Sequence, residues 1–166
     1  GPTELRNVLD SEDTQVMCAA LQTLGISLIS SAENTLTLSG QNPYPVKEAN
    51  IFVGNSGLSI RTLCAVLARM PGRFRLHGIP RMHERPIADL VQSLAVFGAQ
   101  ITYEQLEGYP PVVIKGNSDA PVKLICVKGN ASSQYLTGLL QAAPLAATHN
   151  EVRIQVQGEL ISKPYV

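Results

Sequence analysis

The sequence predicts an α/β (α+β) fold assembled from a βαβαββ unit, with one complete copy and two partial ones. Three observations carry that expectation. Strand-like and helix-like apolar patterns alternate along the chain. Leu24-Gly25 and Phe97-Gly98 each close a helix and lead into paired strands, while Gly54-Asn55 and Gly129-Asn130 each end a strand and open a helix. Both pairs recur at roughly 70–75 residues, the signature of a repeated supersecondary unit. Only the middle copy is whole. The first lacks its opening strand and helix, and the third stops where its second helix is due, so the chain reads as a fragment cut through a repeat array.

Thr3 to Leu9 alternates like a short strand. Asp10-Ser11-Glu12-Asp13 is an acidic helix start, suited to capping and to the helix dipole. Val16, Met17, Ala20, Leu21 and Leu24 share one helical face, and Gly25 ends the helix. Strands over Ile26 to Ile29 and Thr35 to Leu38 follow, separated by polar Ser30 to Asn34. Gln41 to Ala49, with Pro43 and Pro45, reads as a loop. Ile51-Phe52-Val53 is then a strand that delivers the chain to Gly54-Asn55-Ser56-Gly57 and a helix from about Leu58 to Met70. After a further strand, Arg85-Pro86 announces a second helix with proline in its first turn. Ile87, Leu90, Val91, Leu94 and Phe97 form its apolar face. Strands over Gln100 to Tyr103 and Val112 to Ile114 flank a turn at Glu107 to Pro111. A strand over Val122 to Val127 leads to a helix from about Ser132 to Leu145, and Val152 to Val156 is the last strand.

The composition narrows the function classes. In 166 residues, 45% are hydrophobic and 16% charged, which suits one globular domain or a piece of a larger protein. Thirteen basic residues balance thirteen acidic ones, so no global field favours nucleic acid or an anionic membrane. No apolar run reaches the roughly 18 residues of a membrane span, and no signal peptide opens the chain. Cys18, Cys64 and Cys126 are odd in number, widely spaced and in apolar contexts. They predict buried free thiols of a reducing, cytoplasmic setting. His77, His83 and His149 lack metal-ligand spacing, so no metal is expected.

Three anion-ready places emerge, each where a strand hands over to a helix start. At Gly54 to Gly57, two glycines permit close backbone approach beside free helix N–H groups. At the second, Arg81, His83 and Arg85 crowd the positive end of the expected helix, where cations serve an anion better than they serve the helix. A solvated basic turn neutralised by Glu84 is the alternative. At the third, Ser132, Ser133 and Gln134 put two hydroxyls and an amide beside helix N–H groups. An ordinary serine cap accounts for one serine but not the set. Ser162-Lys163-Pro164-Tyr165 is a weaker fourth. There is no G-x-S-x-G, no Walker lysine loop and no complete dinucleotide fingerprint. Glu84 and Asp89 have no evident acid–base partner. The residues alone support an α/β domain that binds a small phosphorylated metabolite.

LDSEDT, GNSGLSIR, PRMHERPIADLV, YPPVVIKG, SSQYLTGLLQAAPLA and SKPY together resemble, in order and spacing, the EPSP synthase (3-phosphoshikimate 1-carboxyvinyltransferase) family over nearly the whole chain. The resemblance implies an enolpyruvyl transferase-like fold. Residues 1–166 then form most of the N-terminal, shikimate 3-phosphate-binding domain of a longer two-domain enzyme, whose second domain is the missing partner. It implies transfer of the enolpyruvyl group of phosphoenolpyruvate to the 5-hydroxyl of shikimate 3-phosphate, by addition to a tetrahedral intermediate and elimination of phosphate. No metal or organic cofactor is implied.

By motif match the resemblance gives Ser132, Ser133 and Gln134 to shikimate 3-phosphate, with Ser133 at its phosphate and Ser162 and Tyr165 lining the same site. Arg85 and Gln134 meet phosphoenolpyruvate, Asn55 and Gly57 wall it, and Arg61 is structural. Leu58 stands where the family commonly has threonine, and Thr62 where a proline often follows the arginine, so sensitivity to glyphosate, the family's inhibitor, is not implied. The family's N-terminal lysine-serine segment and its second-domain acid–base residues are absent, so no complete catalytic set is expected and this polypeptide alone should be inactive. The nearest rival is the UDP-N-acetylglucosamine enolpyruvyl transferase, against which the SSQ and SKPY motifs stand. A non-catalytic phospho-metabolite-binding module is the rival from another class.

Overall fold

A computed structural model describes residues 1–32, 34–40, 44–146 and 151–166, the Tyr165 side chain excepted. Three sheets surround a helical core, and each is a cut of one pattern. The whole copy runs β4 (Glu48–Phe52), α2 (Gly57–Leu67), β5 (Gly72–His77), α3 (Ala88–Leu94), β6 (Gln100–Tyr103) and β7 (Val112–Gly116), following β1 (Pro2–Arg6), α1 (Glu12–Thr23), β2 (Ser27–Ala32) and β3 (Thr35–Ser39). Its sheet has the order β4-β5-β7-β6, with β4 and β5 parallel and the other pairs antiparallel. The first sheet, β1-β3-β2, is wholly antiparallel and reproduces the β5-β7-β6 part. The third joins β8 (Leu124–Lys128) and β9 (Arg153–Gln157) in parallel across α4 (Ser133–Ala146), reproducing β4-β5. The predicted βαβαββ repeat, one copy whole and two partial, is the observed topology.

The parallel pairs explain where the helices go, because a parallel connection needs a crossover. α2 and α4 are those crossovers, and they pack against each other inside the core. Alternate strand residues point inward: Phe74 and Leu76 on β5, Val112 and Ile114 on β7, Ile125 and Val127 on β8 are buried. Each such side chain contributes roughly 1.5–3 kcal/mol on burial. Gly138 of α4 brings the crossovers close, since a β-carbon there would lie 3.0 Å from the Arg61 carbonyl oxygen. α2 is accordingly buried on nearly every side, including Ser59 and Thr62. The Thr62 hydroxyl stays satisfied by donating to the Leu58 carbonyl at 2.9 Å.

Several expected boundaries move. Pro86 is not in a first helical turn. Pro80–Glu84 instead form a short 3-10 turn with Pro80 at its start, and α3 begins only at Ala88. A proline forces the preceding residue toward extended geometry, and Arg85 has φ −97°, ψ 118°. β2 runs on to Ala32 through an irregularity between Ser30 and Ala32, because pairing with β3 outweighs the polar sequence. β4 claims Glu48 and Ala49 from the expected loop by pairing with Arg73 and Phe74. Its end at Phe52 excludes Val53, and β8 starts at Leu124, past Val122. Of the three cysteines only Cys64 is buried, with Cys18 and Cys126 half-buried. Gln41 to Pro43, Glu33 and His149 lie outside the described residues. Among the described residues, no helix is long and apolar enough to cross a membrane.

Candidate functional site

The N-termini of α2 and α4 lie side by side because their helices are packed crossovers. Ser56 caps α2: its Oγ accepts from the Ser59 N–H at 3.2 Å and donates to Ser59 Oγ at 2.8 Å. Gly54, at φ +54°, makes the turn into that cap. Ser132 precedes α4, where its Oγ accepts from the Gln134 N–H at 3.3 Å. Ser133 is buried and is the first residue of the helix.

Between these ends opens a cleft of about 630 Å³, lined by Leu58, Arg61, Arg85, Ser132, Ser133 and Gln134, with Thr137, Gln141 and Ser162 continuing the wall. Two arginines supply its charge. Arg85 leaves the turn before α3 and folds back over α2. There its Nη1 donates to the Asn55 carbonyl at 2.8 Å. The missing side chain of Gly57 makes room: a β-carbon on it would sit 2.3 Å from Arg85 Nη2. Arg61 lies across the ring of Tyr135, its Cζ 5.3 Å from the centroid. Its Nη1 donates to Gln134 Oε1.

Among the described residues no carboxylate forms an ion pair with Arg61 or Arg85. Burial lowers the Arg61 pKa, the Tyr135 oxygen opposes that shift, and the nearby positive Arg85 adds to it. Two guanidiniums facing one cleft at helix N-termini, without a counter-anion, form an anion receptor. With Gln134 Oε1 engaged by Arg61, its amide NH₂ remains to donate to a ligand.

The predicted residues divide accordingly. Ser132, Ser133, Gln134, Ser162 and Arg85 meet around the cleft. Gly57 adjoins it through Arg85. Asn55 is exposed and meets Arg85 through its carbonyl. Tyr165 belongs to a final 3-10 turn, Lys163–Tyr165, but its side chain lies outside the described residues. The basic cluster read as a second anion site disperses: Arg81 pairs with Glu84, and His83 Nε2 accepts from the Gly78 N–H. For Arg81 the neutralised-turn alternative is therefore the observed one. Arg61, expected to be structural, also lines the cleft. Thr137 and Gln141 were missed, although their helical spacing from Gln134 puts them on its face.

The whole chain, residues 1–166, matches the family model described as EPSP synthase (3-phosphoshikimate 1-carboxyvinyltransferase). It is 50% identical to the 3-phosphoshikimate 1-carboxyvinyltransferase of Bordetella parapertussis, covering 100% of this chain and 38% of that one. It is 49% identical to the Ralstonia pickettii protein of the same name, again over 100% of this chain and 38% of that one. The chain thus spans 38% of the length of these curated relatives. A solved EPSP synthase from Acinetobacter baumannii superposes with a TM-score of 0.76 at 27% identity, over 86% of this chain and 32% of that one.

Proposed function

The chain belongs to the EPSP synthase family, and from that premise we propose that it forms the shikimate 3-phosphate-binding domain of a 3-phosphoshikimate 1-carboxyvinyltransferase. The reaction moves the enolpyruvyl group of phosphoenolpyruvate to the 5-hydroxyl of shikimate 3-phosphate and releases phosphate. It passes through a tetrahedral intermediate. One observation supports this reading above the rest: Ser132, Ser133, Gln134, Arg61 and Arg85 line a single cleft that holds the start of α4 and two cations without a carboxylate partner among the described residues.

In this reading the Ser133 and Ser132 hydroxyls and the α4 N–H groups take the 3-phosphate. Ser162 and Tyr165 close the far side of that substrate. Arg85 takes phosphoenolpyruvate, its planar fork matching a carboxylate or phosphate. Asn55 and Gly57 form the wall that holds Arg85 in place, and Gln134 lies between the two substrates. The acid–base groups belong to the second domain of the longer enzyme, and residues 1–166 by themselves are expected to bind without turning over. A cytoplasmic location accompanies such a biosynthetic role.

An NMR titration of this chain with shikimate 3-phosphate tests the reading, with shikimate and inorganic phosphate as controls. Saturable shifts at the Ser132, Ser133 and Gln134 amides, absent with either control at equal concentration, are expected. A folded chain that gives no saturable shift with shikimate 3-phosphate overturns the proposal that this domain carries the site. Incubation with both substrates is expected to release no phosphate.

A further inference from the structure

Tyr135 touches both arginines' supports from inside the core. Its side chain is 3% exposed, yet its hydroxyl donates to the Pro86 carbonyl at 2.8 Å. Its ring carries the Arg61 guanidinium, whose Nη1 holds Gln134. We propose that Tyr135 is a positioning residue: its hydroxyl fixes the turn that aims Arg85, and its ring seats Arg61. This inference rests on the reading of the cleft as the substrate site.

The backbone around Arg85 shows what the hydroxyl adds. The Arg85 N–H donates to the Met82 carbonyl at 3.1 Å, and the Ile87 N–H donates to the Gly108 carbonyl at 2.8 Å. Pro86 has no N–H, so its carbonyl is its one backbone hydrogen-bonding group. Tyr135 holds that carbonyl. The segment from Arg85 to Ile87 is thereby tied at each residue, and the Arg85 side chain projects from a fixed base over Gly57.

The internal repeat indicates that the fold does not require a tyrosine at this place. Counted from the helix starts, Gly57 of α2 and Ser133 of α4, Ser59 stands opposite Tyr135 and is likewise buried, at 1%. A small side chain bonded to the Ser56 hydroxyl fills the matching place in the sister helix, so the crossover does not by itself call for a tyrosine there. What tyrosine brings is a donor for the Pro86 carbonyl and a π-face for Arg61.

The test compares this chain with its Tyr135→Phe and Tyr135→Leu variants, after amide spectra establish that each is folded. Side-chain NMR of Arg85 without ligand comes first. Tyr135→Phe is expected to speed Arg85 guanidinium rotation and hydrogen exchange while leaving Gln134 signals in place, with Arg61, which also loses the hydroxyl beside it, shifting only slightly. Tyr135→Leu is expected to move all three. Titrations with phosphoenolpyruvate and with shikimate 3-phosphate follow. Tyr135→Phe is expected to weaken phosphoenolpyruvate about fivefold, the scale of one lost hydrogen bond, and shikimate 3-phosphate by less than about twofold. Unchanged Arg85 dynamics in Tyr135→Phe overturn the inference, as does equal weakening of both ligands. If the wild-type chain binds neither substrate, the functional reading fails, and the ligand-free Arg85 measurement still decides the role of Tyr135.

Discussion

Arg85 lies so close to Gly57 that a β-carbon on the glycine would come within 2.3 Å of Nη2 and 2.6 Å of Cζ. The guanidinium reaches the Asn55 carbonyl only because α2 begins with a bare Cα. Gly57→Ala is therefore expected to displace Arg85 without unfolding α2, since alanine is a better helix former than glycine. Phosphoenolpyruvate affinity should fall about tenfold, near the worth of one charge-assisted hydrogen bond. Shikimate 3-phosphate affinity should change little. Calorimetric titration with each ligand checks this. Equal affinities for phosphoenolpyruvate in both proteins would show that Arg85 does not depend on Gly57.

The features legible in the sequence are those fixed by local chemistry. Gly54 and Gly129 mark strand-to-helix turns, and Ser132-Ser133-Gln134 opens α4. The features that were not legible depend on pairs distant in the chain. Arg61 meets Gln134 73 residues away, and Tyr135 meets Pro86 49 residues away. No local pattern encodes the packing of α2 on α4 that brings them together. Arg81 misled for the opposite reason. Its partner, Glu84, is three residues on, and the 3-10 turn started by Pro80 sets the two side by side.

Gly138 sets the distance between the crossover helices. Its Cβ would lie 3.0 Å from the Arg61 carbonyl oxygen and 3.4 Å from Ala65 Cβ. Better helix propensity for alanine is offset by this crowding, and overpacking of a close interface costs about 1–3 kcal/mol. Gly138→Ala is expected to lower the urea midpoint and, by parting α2 from α4, to shift Arg61 and Gln134 resonances. A rise in the midpoint would show that the helices can separate without cost.

Arg69 ties the whole repeat to the partial one after it. Its side chain is 3% exposed, its guanidinium lies 5.4 Å from the Phe97 ring centroid, and it donates to the Asn117, Ser118 and Ala120 carbonyls. Those acceptors belong to the connector that leads into β8. Arg69→Met keeps much of the volume and removes every donor, leaving three carbonyls to find new partners. A loss of roughly 3 kcal/mol is expected, with the cleft residues' spectra otherwise unchanged. Chemical unfolding combined with amide spectra measures both, and a loss below about 0.5 kcal/mol would leave the clamp without energetic weight.

Cys64 ties stability to alkaline pH. It is 0% exposed, and burial pushes its thiol up to about 12 from 9.0. Burial also raises Tyr44, Tyr103 and Tyr135. In the unfolded chain these groups release protons at lower pH than in the folded one. Above about pH 9 the unfolded state therefore binds fewer protons, and stability falls as pH rises. The contribution is intact below the ordinary thiol value and lost progressively toward pH 12. Cys64→Ala removes the thiol's share at the expense of a small cavity. Its unfolding free energy is expected to be lower near neutrality and to decline less steeply between pH 9 and 11. Thiol-reagent labelling gives the kinetic counterpart, because the thiolate is the reactive form. Half-buried Cys18 and Cys126 should label in the native protein, and Cys64 only on unfolding. Rapid native labelling of Cys64, or identical pH slopes in the two proteins, would refute this account.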